Sequence, residues 1–352
     1  MTHSFNPLRR LVLAAGLALP LAGGLVSGLA HAADKAAAAP EKIAIGISNR
    51  SLLGLPVVVA KERGFFAEEG LDVGIDYFAG GTPATAALIG GSVQFIDAAF
   101  ENNIKAVKNG QKLVSVLNLQ TDFAGAVIVR KDVADKLAGK PTVADLKGLK
   151  IGTLARGGFA DVSTRYILAD AGLDAEKDVT LVPIRGADRQ LTAGEAGEIE
   201  AAFVMEPWSV IAVEKSNKWA YVLNITTGEG PKVFQGLGYI TLQTTRDYVK
   251  TNRPIVEKVV RALVKAQSYI VDPANIDALA AIADREYGGS GVDVVKISLA
   301  RQAHSFAPAL SPENVAKTSE LLLKSGAIAA PAPSFDEVVD TSFAPLWSAF
   351  RK

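Results

Sequence analysis

The run Lys42-Ile43-Ala44-Ile45-Gly46-Ile47-Ser48-Asn49-Arg50-Ser51-Leu52-Leu53-Gly54-Leu55-Pro56-Val57-Val58-Val59-Ala60-Lys61-Glu62-Arg63-Gly64 decides the fold. Its first six residues alternate and are rich in β-branched side chains, so they read as a strand. Ser48 to Leu52 follow as a loop at that strand's carboxyl end. Pro56 lies near the N-terminus of a helix that runs to Glu62 and stops at Gly64. Strand, loop and helix in that order open a parallel α/β unit.

The alternation continues along the chain. Strands are predicted at 71–75, 93–96, 113–117, 126–129, 150–153, 179–184, 201–205, 221–225 and 239–243. Helices are predicted at 82–89, with Thr82 as N-cap and Pro83 at the first helical position, and at 102–108. A short helix over 142–146 is capped by Thr142, another covers 161–171, and a helical piece surrounds Leu191. From Pro254 onward the pattern is helical, at 254–271, 275–286, 292–305, 312–325 and 335–349. Strands and helices thus alternate over 42–118 and again over 126–225, ahead of a helical tail. Two mostly parallel sheets, each flanked by helices, are expected. Ligands of such sheets sit at the carboxyl ends of the strands, so two facing sheets enclose a cleft.

Composition narrows the function. The 352 residues allow two domains of about 150 residues each. Lys plus Arg equals Asp plus Glu, at 37 each, which gives no electrostatic ground for nucleic-acid binding. There is no Cys, which removes disulfide scaffolds, thiolate metal sites, cysteine nucleophiles and lipid anchoring through a Cys. Arg9-Arg10, the apolar run Leu11 to Leu29 and Ala30-His31-Ala32 fit a signal peptide over 1–32, cleaved after Ala32. A transmembrane anchor is the alternative for that run. The residues around Arg9-Arg10 fit the twin-arginine consensus poorly. The expectation is a soluble exported protein, periplasmic and not a lipoprotein. Of His3, His31 and His304, only His304 remains after cleavage, in a predicted helix away from the cleft.

Five blocks in order carry a resemblance. They are Gly54 to Phe66, continued by Glu68-Glu69-Gly70-Leu71-Asp72-Val73; Phe78-Ala79-Gly80-Gly81-Thr82-Pro83; Ala144 to Gly152; and Ala201-Ala202-Phe203-Val204-Met205-Glu206-Pro207-Trp208. Over roughly 42–250 the chain resembles solute-binding proteins of nitrate/sulfonate/taurine-type ABC importers, whose superfamily includes thiamine-pyrimidine-binding proteins. The resemblance implies a two-lobed type II periplasmic binding fold with two crossings between lobes. It places lobe 1 at 41–121 plus 230–352, lobe 2 at 122–229, and hinges near 118–124 and 223–230. It also implies an ABC permease as partner and a monomer.

The expected ligand-binding residues lie at strand ends. After the first strand come Asn49, Arg50 and Ser51, with Arg50 able to pair with an anion. Gly81 and Thr82 open a helix whose free N–H groups favour negative charge. Arg156-Gly157-Gly158 form a glycine turn with exposed N–H groups ahead of Phe159, and Arg185 follows the next strand. Glu101, Gln120, Asp122 and Glu206 bring polar groups of opposite character, and Glu206 is expected to bond backbone or a neighbouring arginine. Phe100, Phe123, Phe159 and Trp208 are candidates for an apolar lining.

Two classes of function remain. The first is a binding module for a small organic anion, a sulfonate or an aromatic or organic carboxylate, held by Arg50, Arg156 and Arg185. Its alternative ligand is a neutral pyrimidine-like or other heterocycle, read from Glu101 and the aromatics. The second class is an enzyme without cofactor on the same fold. The enzymes that the resemblance brings in use cysteine or active-site histidine, which this chain lacks in the expected places. No catalytic residue, metal site or cofactor is expected.

Overall fold

The computed structural model describes residues 39–287 and 290–351. The expected signal peptide, its cleavage after Ala32 and the leader through residue 38 lie outside the described residues.

In chain order the strands are β1 (Glu41–Ile47), β2 (Leu71–Tyr77), β3 (Phe95–Ala99), β4 (Leu113–Gln120), β5 (Gly125–Arg130), β6 (Lys150–Thr153), β7 (Thr180–Pro183), β8 (Ala201–Met205), β9 (Trp219–Asn224) and β10 (Ile240–Thr245). The helices of eight or more residues are α1 (Leu55–Glu62), α2 (Gly81–Ile89), α3 (Phe100–Lys108), α4 (Phe159–Asp170), α5 (Ala187–Glu195), α6 (Arg253–Val271), α7 (Ile276–Tyr287), α8 (Val292–Gln302) and α9 (Pro312–Lys324).

The strands form two five-stranded sheets, ordered β2-β1-β3-β10-β4 and β7-β6-β8-β5-β9. In the first, β1 runs parallel to β2 and β3, while β10 is antiparallel to β3 and β4. In the second, β6 runs parallel to β7 and β8, while β5 is antiparallel to β8 and β9. Each sheet therefore has the same plan, with one antiparallel strand inserted between its third and fourth parallel strands. The inserted strand comes from the chain's passage between sheets: β5 begins just after β4 ends, and β10 returns after β9. The expected two-lobed α/β fold with mostly parallel sheets is what the chain adopts.

Gly125 shows how tightly the first passage is built. A Cβ there would lie 2.3 Å from the Val204 carbonyl oxygen and 2.4 Å from Phe123 Cζ, so only glycine lets β5 reach β8. A continuous apolar cluster joins Ile45 and Val114 of the first sheet to Val127 and Phe203 of the second through Phe123 and Tyr239.

Three local expectations are corrected. Helix α2 is capped by Gly80, at φ 131°, so Thr82 and Pro83 lie inside its first turn rather than at its cap. Within that first turn Gly81 rests on Asn102, where a Cβ would lie 2.2 Å from Nδ2. Helix α4 likewise begins at Phe159 rather than at Asp161. The expected helix 335–349 is three short pieces, Phe335–Val338, Thr341–Phe343 and Ala344–Trp347. It breaks because Val339 bridges Ser115 of β4, and the Asp340 N–H donates to the Ser115 carbonyl at 2.9 Å.

The helical tail is not a detached appendage. Helix α6 packs on α1 beside the first sheet, but α8 reaches the second lobe. Ser298 donates to Glu206 Oε2 at 2.9 Å, and Arg301 grips both Glu214 oxygens at 2.7 and 3.0 Å. Among the described residues no helix is long and apolar enough to cross a membrane.

Candidate functional site

The carboxyl ends of the parallel strands meet where the lobes touch. Asn49, just after β1, points its Nδ2 at the Met205 sulfur at the end of β8, 3.6 Å away. The Tyr239 hydroxyl, just before β10, lies 3.7 Å from the same sulfur. The Phe159 ring, from the first turn of α4, sits 4.5 Å from the Tyr239 ring. Phe123 is stacked on Phe203 at 4.7 Å and lies 5.2 Å from Phe159 and 5.3 Å from Tyr239. The structure thus brings together three expected residues, Asn49, Phe123 and Phe159. It adds three that sequence reading missed: Tyr239, Met205 and Phe203.

A second contact runs beside the first. Lys105, one helical turn after Glu101, places its ammonium 2.8 Å from Glu101 Oε2. The same ammonium donates to the Gly157 carbonyl oxygen at 2.7 Å, in the turn between β6 and α4. Burial raises the pKa of Glu101, opposed by Lys105 and by Asn102. Asp97, on β3, is fully buried, and burial raises its pKa well above the ordinary range. Its Oδ2 has no hydrogen-bond partner among the described residues. Asp97 lies in electrostatic reach of Tyr77, Tyr239 and Tyr287. Lys105 had a sequence signal, its i,i+4 spacing from Glu101. Asp97, in the middle of β3, had none, and Tyr239 and Met205 had none beyond their position at strand ends.

The arginine arrangement expected from sequence is not assembled. Arg50 is committed elsewhere: it donates to the Glu286 carbonyl at 2.8 Å, lies 3.6 Å from the Glu286 carboxylate and stacks over Tyr77 at 4.8 Å. Arg156 and Arg185 are exposed and make no hydrogen bond or ion pair among the described residues. The glycine turn also lacks the free donors expected of it. The Gly157 N–H goes to Asp161 Oδ2 at 3.0 Å, and the Gly158 N–H to the Ala155 carbonyl at 3.1 Å.

Other expected residues serve the scaffold. Ser51 caps the short helix Leu52–Gly54 by accepting the Leu53 N–H. Phe100 is fully buried, packed where a Cβ on Gly238 would meet it at 2.9 Å. Gln120 is buried and donates to Gln302 Oε1 at 2.9 Å. Gly81 and Thr82 open α2, and Thr82 is exposed. Trp208 is half-buried against the cluster that contains Ile128 and Val204. Glu206, expected to bond backbone or arginine, instead accepts three hydroxyls: Ser209 at 2.6 Å, Thr226 at 3.2 Å and Ser298 at 2.9 Å. Burial raises its pKa despite those bonds.

Asp122 borders a cavity of about 430 Å³ formed where both passages between sheets meet the tail. Its walls include Phe123, Thr226, Phe234, Gln302 and His304. His304, expected away from the site, lies 3.7 Å from Asp122 Oδ2. Asp122 also accepts the Gly236 N–H and the Thr121 hydroxyl. Among the described residues no group of three or more His, Asp or Glu is placed to hold a metal ion.

The family model described as NMT1-like matches residues 36–284. The putative binding protein YtlA of Bacillus subtilis is 26% identical over 296 residues, covering 81% of this chain and 83% of that protein. The nitrate/nitrite binding protein NrtA of Synechococcus elongatus is 28% identical over 268 residues, covering 68% of this chain and 58% of that protein. The chain thus spans little more than half of that relative's length. The alkanesulfonate-binding protein SsuA from Xanthomonas axonopodis pv. citri, solved bound to MOPS, superposes with a TM-score of 0.70. That likeness covers 86% of this chain and 100% of the other at 22% identity, and it is a likeness of fold. The resemblance carried by the five sequence blocks is borne out, and the chain belongs to the NMT1-like family.

Proposed function

We propose that this protein is the periplasmic substrate-binding component of an ABC-type importer, exported by a cleaved signal peptide. It closes two lobes on a small organic solute and presents the closed form to a membrane permease. The observation that carries the reading is the pair of sheets with one shared strand order, joined by two passages, whose strand ends meet at Asn49, Tyr239 and Met205. The names of the relatives YtlA, NrtA and SsuA support it. The moving bodies are assigned as 41–121 with 230–352, and 122–229, hinged near 118–124 and 223–230. Binding needs no chemical step, and no residue is assigned a catalytic role.

Of the two ligand classes left open by the sequence, the neutral heterocycle fits the geometry better. The strand ends bring together the rings of Phe123, Phe159 and Tyr239, and Arg50 and Lys105 are already paired with carboxylates. The organic-anion reading rests on Arg156 and Arg185, which are exposed. A thermal-shift screen across sulfonates, carboxylates, pyrimidines and inorganic anions tests the reading. A ligand at 100 times its Kd adds about 2.7 kcal/mol of stability. Stabilisation by pyrimidines or related heterocycles supports the neutral class. Stabilisation by sulfonates alone, lost in Arg156→Ala, restores the anion.

A further inference from the structure

Tyr239 is buried, and the partner of its hydroxyl is the Met205 sulfur. The Asn49 carboxamide aims an N–H at that same sulfur. Two strong donors meeting one thioether make weak bonds, because sulfur accepts poorly compared with oxygen. Both donors belong to the lobe of the first sheet, and the sulfur ends β8 of the second. The exchange of a better acceptor for this sulfur therefore takes place at the surface where the lobes close.

We infer that Asn49 Nδ2 and Tyr239 Oη form a two-donor subsite for one oxygen of the ligand, which competes with the Met205 sulfur for both. The inference rests on the solute-binding reading and specifies how that site recognises its solute. The rings of Phe159 and Phe123 lie 4.5 and 5.3 Å from Tyr239, so the oxygen belongs to a molecule with a planar, apolar body. Carbonyl and sulfonyl oxygens share the chemistry required. Arg50 and Lys105 are already paired with the carboxylates of Glu286 and Glu101, so an uncharged carbonyl is the better occupant.

The chain contains two methionines, Met1 and Met205, so a methyl-labelled methionine NMR spectrum reports on Met205 directly. Benzamide serves as the carbonyl probe and benzenesulfonate as the sulfonyl probe, each titrated at millimolar concentration. The expected result is a saturable shift of the Met205 methyl signal with benzamide. Tyr239→Phe should weaken that binding about tenfold, the loss of one hydrogen bond. Met205→Leu should bind benzamide at least as tightly by calorimetry. A saturable shift with benzenesulfonate alone supports the subsite with a sulfonyl occupant. An unmoved Met205 signal with both probes, or unchanged affinity in Tyr239→Phe, overturns the inference. A screened solute that raises the melting temperature but leaves Met205 in place overturns the subsite and leaves the solute-binding reading intact.

Discussion

Lys105 bonds Gly157 across the two lobes: its ammonium donates to the glycine carbonyl at 2.7 Å while lying 2.8 Å from the buried carboxylate of Glu101. One side chain thus neutralises a carboxylate in its own lobe and holds the turn of the other. Lys105→Met removes both effects and leaves Glu101 buried without its cation. The expected cost is about 1–3 kcal/mol at neutral pH by chemical denaturation. Adding Glu101→Gln should recover part of that loss, because the two residues share one interaction. Strictly additive losses would show that the pair is not coupled.

Glu206 gathers hydroxyls from its own lobe, a passage and the tail, namely Ser209, Thr226 and Ser298. Glu206→Ala strands all three in a buried setting and should cost about 3 kcal/mol or more. Ser298→Ala removes one bond and should cost about 1 kcal/mol. Equal losses in the two variants would contradict a hub centred on the carboxylate.

Asp97 makes stability depend on pH in a stated direction. Burial raises its folded-state pKa well above the ordinary carboxylate range, so the folded form holds the proton more tightly. Its contribution is fully present below the unfolded pKa and is lost as pH rises through the raised folded value. Asp97→Asn escapes that loss. Calorimetry should show the variant gaining melting temperature relative to wild type between acidic and mildly alkaline pH, on the order of 2 °C or more. A gap that stays constant or closes with pH would refute the buried, unpartnered carboxyl.

Gly125 allows no side chain between Val204 and Phe123. Gly125→Ala should destabilise the protein by about 1–3 kcal/mol or more through overpacking, measured by urea denaturation. Wild-type stability in this variant would mean that the two passages are looser than the structure shows.

The fold was legible because it rests on local signals. The alternation in Lys42 to Gly64 recurs in both units, and β1, α1, β6 and β8 lie within a residue of where periodicity places them. The failures are places where a distant partner decides. Val339 is extended because Ser115 pairs with it, 224 positions away in the chain by the numbering of that bridge. Gly80 rather than Thr82 caps α2, and the next residue, Gly81, lies against Asn102 of α3. The site was half legible: Asn49, Phe123 and Phe159 are among the residues expected from sequence, whereas Lys105 was missed although it stands four residues after Glu101. Arg50 could not be judged, because Glu286, its partner, comes from the tail. Tyr239 and Met205 are ordinary strand residues until two lobes are brought face to face.

Solute binding should draw the two lobes together. The chain has no cysteine, so Ala86→Cys on α2 and Lys177→Cys in the second lobe, both at exposed positions, accept one dye pair without background labelling. Energy transfer between the dyes is then followed while sulfonates, carboxylates, pyrimidines and inorganic anions are added in turn. At least one solute should shift the transfer efficiency saturably, be recovered unchanged, and lose affinity in Tyr239→Phe. A solute that binds by calorimetry yet leaves the distance between the lobes unaltered would contradict it.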